Sequence, residues 1–149
     1  MSVSTLVIFA EDDHEDWGLI KDALEECNQD EIRWERCLDG VELMARLKDS
    51  QQRKPDMIML DLKMPKMDGA EALQEIRMTP ELQHIPIIIL TTSKLEADIF
   101  QSYHKGASSY VVKPVTYETI KSVLHDIRYY WTKVARIPLN SVFESGFVK

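Results

Sequence analysis

The sequence predicts an α/β fold, a doubly wound parallel sheet of five strands with helices on both faces. Three observations carry that prediction. Short apolar runs recur five times, each followed by a turn and a longer amphipathic segment, the alternation that strand-helix-strand units require. Two of the runs, Met57-Ile58-Met59-Leu60 and Ile87-Ile88-Ile89-Leu90, are unbroken, as strands buried on both faces must be. The 149 residues, 44% hydrophobic, contain no repeat, low-complexity tract or Gly/Ser linker that would divide the chain, so one core is expected.

The elements follow in order. Leu6 to Ala10 is the first strand; it ends in Glu11-Asp12-Asp13 and leads into a helix marked by Trp17, Ile20 and Leu24. Ile32 to Leu38 alternates Ile32, Trp34 and Arg36 against Arg33, Glu35 and Cys37, the pattern of a half-exposed edge strand. Asp39-Gly40 then turns into a helix carrying Val41, Met44 and Leu47, and polar residues 48–54 form a connecting loop. The third strand, Met57 to Leu60, stops at Asp61. Met64-Pro65-Lys66-Met67-Asp68-Gly69 is a loop by its Pro and Asp-Gly content, and Ala70 to Met78 is a helix that halts near Pro80. Ile87 to Leu90, the most hydrophobic strand, is expected at a central position and runs into Thr91-Thr92-Ser93. Leu95 to Tyr103 is the fourth helix, stopped by Lys105-Gly106, and Tyr110 to Val112 is a short fifth strand ending at Lys113-Pro114. Thr116 is the expected N-cap of the last helix, whose buried face is Ile120, Val123, Leu124, Ile127, Trp131 and Val134.

Composition narrows the function. With 18 basic and 25 acidic residues the formal charge is −7, which excludes a sequence-independent grip on nucleic-acid phosphates. No apolar run approaches the ~18 residues of a membrane span, and the first ten residues lack a basic leader, so a soluble cytoplasmic protein is expected. Cys27 and Cys37 lack a metal or redox spacing and read as reduced thiols.

Polar residues stand where four strands end: Asp12 and Asp13, Asp61, Thr91 and Lys113. In an open parallel sheet that edge binds ligands, and side-by-side strands would bring these residues into one pocket. Adjacent carboxylates repel one another unless a hard cation or an ammonium offsets them. The composition asks for Mg²⁺ near Asp12, Asp13 and Asp61, with Lys113 on the opposite side.

These motifs, in this order, resemble the receiver domain of bacterial two-component response regulators, from about Thr5 to about Val134. The resemblance rests on Glu11-Asp12-Asp13, Asp61 with Met64-Pro65 and Met67-Asp68-Gly69, Leu90-Thr91-Thr92-Ser93, and Tyr110-Val111-Val112-Lys113-Pro114. Thr91 follows Asp61 by 30 positions and Lys113 follows Thr91 by 22, intervals similar to those of single-domain chemotaxis regulators. The resemblance implies a flavodoxin-like strand order 2-1-3-4-5. It also implies that Asp61 accepts a phosphoryl group from a phosphohistidine on a sensor histidine kinase. Asp13 and Asp61 would bind Mg²⁺ directly, Asp12 largely through water, and the Lys63 backbone carbonyl would add an oxygen. Lys113 and Thr91 would hold the acyl phosphate, and the bond before Pro114 would be cis, as is common in the family. Thr91 and Tyr110 would form the switch that reshapes the face of the fourth helix, fifth strand and last helix. Tyr110 can equally be a plain half-buried strand aromatic.

Two departures bear on this reading. Lys63 and Ser93, two residues after Asp61 and Thr91, offer no carboxylate or amide to orient water, so slow loss of the phosphoryl group is expected. An aspartate-nucleophile phosphatase would want a second Asp where Lys63 stands, and a non-phosphorylated interaction module is the other alternative. The receiver is expected over residues 1–134, with residues 135–149 as an extension. No DNA-binding or enzymatic domain is expected to follow, so output would run through protein contacts. Tyr129-Tyr130-Trp131, Ile137-Pro138-Leu139, Phe143 and Phe147 make an aromatic end similar to that of small regulators accompanying bacterial phytochromes. That end either forms a homodimer or kinase contact or folds back on its own domain.

Overall fold

A computed structural model describes residues 4–27 and 32–138. Its elements are β1 (Thr5–Ala10), α1 (His14–Cys27), β2 (Ile32–Cys37), α2 (Gly40–Lys48), β3 (Met57–Leu60), α3 (Gly69–Arg77), β4 (Ile87–Thr91), α4 (Glu96–His104), β5 (Ser109–Val112) and α5 (Tyr117–Tyr129). The five strands form one parallel sheet in the order β2-β1-β3-β4-β5, as expected. β4 lies inside the sheet with every residue buried, and β2 forms one edge.

The two-residue period of the strands divides the core between the faces. Ile8, Ala10, Ile58, Leu60, Ile87 and Ile89 pack with Leu43 and Leu47 of α2 and Leu73 and Ile76 of α3. The alternate residues Val7, Phe9, Met57, Met59, Ile88 and Leu90 pack with Ile20 and Ala23 of α1 and Ile120 and Leu124 of α5. Burying each of these large side chains contributes about 1.5 to 3 kcal/mol.

Local chemistry starts and stops the helices. The Asp39 and Asp68 side chains accept from the backbone N–H groups of Glu42 and Glu71, and Glu71 returns a bond to the Asp68 backbone, completing a capping box. Thr116 caps α5 as expected, accepting from Thr119. Gly106 ends α4 at φ 105, a conformation closed to most L-residues.

The last helix departs from expectation. Beyond Tyr129 it widens into a π turn at Tyr130–Val134, where the Ala135 N–H reaches the Tyr130 carbonyl at 2.7 Å. The widened turn shifts the helical register, so Trp131 still packs on the core while Val134, expected on the buried face, is 57% exposed. Leu139, Phe143 and Phe147 lie outside the described residues.

Candidate functional site

Register sets the site. Ala10 pairs with Leu60 across β1 and β3, and the Asp61 N–H donates to the Ala10 carbonyl at 3.1 Å. Glu11 and Asp61, the residues that leave these two strands, therefore stand at one level, and both are buried. One oxygen each from Glu11, Asp12 and Asp61 lies within 4.8 Å of the others. Asp12 is half-buried, which leaves the group open to water on one side.

This trio differs from the expected Asp12, Asp13 and Asp61. Asp13 is exposed and caps the start of α1: its Oδ1 accepts from the Asp16 N–H at 2.9 Å and its carbonyl from the Trp17 N–H at 2.9 Å. Glu11, rather than Asp13, lies with Asp12 and Asp61. The available signal was the strand end itself, because the first residue after Ala10 and the first after Leu60 must face the same edge.

Lys113 closes the site. Its backbone N–H donates to the Thr91 carbonyl at 2.7 Å, and its ammonium meets Glu11 at 2.5 Å, Asp61 at 2.8 Å and Asp16 at 2.8 Å. Burial alone would lower the ammonium's pKa, but hydrogen bonds to Asp16, Asp61 and Glu11 outweigh it and hold the group above its ordinary value. Burial pushes the Glu11 carboxyl up to about 7, although the Lys113 hydrogen bond pulls against it. Lys113 reaches the pocket on a trans bond to Pro114, since the described chain has no cis peptide. The expected cis bond is therefore not found there; trans is the lower-energy isomer of an X-Pro bond.

Thr91 ends β4 beside β3, and its Oγ1 is fully buried with no hydrogen-bond partner. An unmet buried hydroxyl costs about 1 to 3 kcal/mol. The exposed Lys63 donates its backbone N–H to Asp61 Oδ1 at 3.2 Å. Tyr110 is half-buried against the core, its hydroxyl donating to the Ser93 carbonyl at 2.9 Å, while Ser93 Oγ donates to Asp98 at 2.6 Å.

Gly69 seats the loop that carries Asp61. A Cβ there would lie 2.1 Å from the Asp61 carbonyl oxygen and 2.7 Å from Leu62 Cα, so only glycine lets α3 start this close. The oxygen-only donor set fits a hard divalent cation, with Glu11, Asp12 and Asp61 as the side chains that could hold it. Among the described residues no helix is long and apolar enough to cross a membrane.

Comparison with known proteins agrees with this geometry. Residues 7–125 match the response regulator receiver domain. The chain is 34% identical over 137 residues to FilR2 of Methanothrix harundinacea, named as a methanogenesis regulator, covering 89% of this chain and 87% of that one. It is 31% identical over 138 residues to the response regulator Rcp1 of Synechocystis, covering 89% and 92%. The phosphorylated cyanobacterial phytochrome response regulator RcpA superposes with a TM-score of 0.86 at 33% identity, covering 92% of this chain and 100% of that one. A Mn²⁺-bound form of Rcp1 superposes at 0.83 and 29% identity, covering 91% and 99%. With the family model spanning most of the chain and the strand order, acidic trio and lysine in place, the chain belongs to the receiver-domain response regulators of two-component systems.

Proposed function

We propose that the protein carries a signal as an aspartyl phosphate on Asp61, received from a sensor histidine kinase in the cytoplasm. The observation that carries this reading is the Thr91 hydroxyl, buried and unmet at the end of the strand next to that of Asp61, whose carboxylate holds the Lys113 ammonium. An Asp61 carboxylate oxygen attacks the phosphorus of a phosphohistidine; the new O–P bond forms as the P–N bond breaks, and the imidazole leaves. Lys113 donates to a phosphoryl oxygen and Thr91 Oγ1 to another, so positioning and charge do the work without a dedicated base. A Mg²⁺ ion, when bound, would neutralise charge that develops on the phosphoryl oxygens. Glu11, Asp12 and Asp61 would hold it, together with the Lys63 backbone carbonyl.

Output follows from the same contacts. Thr91 drawn toward a phosphoryl oxygen pulls on the segment through Ser93, whose carbonyl holds Tyr110 and whose hydroxyl holds Asp98 on α4. The face of α4, β5 and α5 is then the partner surface. The likeness to RcpA and Rcp1 supports a phytochrome-type kinase as the donor. Exposed Tyr129, Tyr130 and Val134 support a homodimer through the end of α5, and light scattering showing only monomer at high concentration, with Asp61 phosphorylated, would exclude it.

Incubation with acetyl phosphate and Mg²⁺ followed by intact mass tests the reading. One added phosphoryl group, absent in Asp61→Asn and without Mg²⁺, is the expected result; no gain in the wild type would refute it. Lys63 projects into solvent and Ser93 is engaged with Asp98, so neither orients an attacking water. The acyl phosphate should therefore decay slowly, and decay as fast as in rapid chemotaxis regulators would contradict that.

A further inference from the structure

Asp16 is the one carboxylate on Lys113 that belongs neither to the acidic trio nor to the strand end carrying Asp61. It sits in the first turn of α1, where the Asp13 cap fixes its backbone, and its Oδ2 takes the Lys113 ammonium at 2.8 Å. An ammonium has three N–H donors and no acceptor. Glu11, Asp16 and Asp61 use all three, and the Lys113 side chain is only 8% exposed. A phosphoryl oxygen can be bound by Lys113 only if one of these contacts is given up: the Asp61 contact, as that carboxylate is esterified, or the contact to Asp16 or Glu11. The Asp16 side chain, 34% exposed, can return to water, whereas Glu11 at 3% cannot.

We infer that Asp16 is a positioning residue that acts through Lys113 as a counterweight to the phosphoryl group. It keeps one ammonium donor on α1 while Asp61 is unmodified, and its charge opposes an anion arriving on Asp61. The inference rests on the phosphoacceptor reading above. It has two consequences of opposite sign: the Asp16 charge strengthens cation binding at Glu11, Asp12 and Asp61, and it weakens binding of a phosphoryl anion on Asp61. One unit charge acting across a partly hydrated site changes either affinity by about three- to tenfold. A small cavity of about 20 Å³ beside Asp16 and Lys113 is walled otherwise by apolar side chains, among them Ile20, Leu90, Ile120 and Leu124.

The test is calorimetric titration of wild type, Asp16→Asn and Asp16→Glu with Mg²⁺, and then with beryllofluoride, a phosphoryl mimic, at saturating Mg²⁺. Asp16→Asn should bind Mg²⁺ about three- to tenfold more weakly and beryllofluoride about three- to tenfold more tightly. Asp16→Glu, which keeps the charge at that position, should return both toward wild type. Both affinities falling together in Asp16→Asn, or neither changing, would overturn the inference. Asp16→Ala, checked for an intact melting transition, must give the same opposite signs if Asp16→Asn folds poorly. A wild type that binds Mg²⁺ but not beryllofluoride would instead overturn the phosphoacceptor reading, and the inference with it.

Discussion

α3 and α4 are both nine residues long, yet they are attached to the sheet very differently. α3 begins in a capping box, buries Gly69, Ala72, Leu73 and Ile76, and starts against the Asp61 carbonyl. α4 has no cap from the side chain of Leu95 and buries only Ser102. It leaves Leu95 63%, Phe100 66% and Tyr103 50% exposed. The difference separates two duties. α3 holds the Asp61 loop still, whereas α4 hangs on the Ser93–Asp98 and Tyr110–Tyr103 hydrogen bonds and buries no apolar side chain, the condition for an element that can move at low cost.

Substitutions can break that comparison. Gly69→Ala should have the largest effect, a loss of about 3 kcal/mol or failure to fold, because its Cβ meets backbone that cannot yield; an unchanged urea midpoint would show that α3 does not need its close approach. Leu73→Ala, at a fully buried position, should cost about 3 kcal/mol, and Phe100→Ala on α4 less than about 0.5 kcal/mol. Equal losses at the two sites would erase the contrast.

Smaller effects sharpen the comparison. Cys37 packs in the α2–α3 layer, where burial pushes its thiol up to about 12 from an ordinary 9. The folded state keeps a proton that the unfolded chain releases, so this stabilisation is complete below pH 9 and lost as pH rises from about 9 to about 12. Between pH 8 and pH 10 the Cys37-dependent loss should be about 1 kcal/mol, and Cys37→Ala should lose that much less over the same interval. The smallest change belongs to Lys66, which holds φ 64 in the loop leading into α3. Lys66→Gly should raise stability by about 0.5 to 1 kcal/mol in thermal or urea unfolding, since glycine adopts that conformation without strain.

The alternation of strands and helices was readable because apolar period and turn residues act locally, and the Asp39, Asp68 and Thr116 caps mark helix starts through side-chain chemistry alone. Asp61, Thr91 and Lys113 were legible as strand ends, and the structure brings them to one edge. Glu11 was missed because three consecutive acidic residues look alike in sequence; the end of the first strand at Ala10 points to it, and the level pairing of Ala10 with Leu60 decides that it faces Asp61. The π turn after Tyr129 was hidden for a similar reason, since an apolar spacing does not reveal where the helix widens. The Asp16–Lys113 contact joins residues 97 positions apart and leaves no local signal.

Hydrogen exchange with and without beryllofluoride, in Mg²⁺ and in both wild type and Asp61→Asn, tests most directly the claim that Asp61 is the phosphoacceptor and α4 the moving element. Altered protection in α4 and β5 of the wild type, little change in α3 and no response in Asp61→Asn are the expected results. Change confined to α3, or the same change in Asp61→Asn, would contradict it.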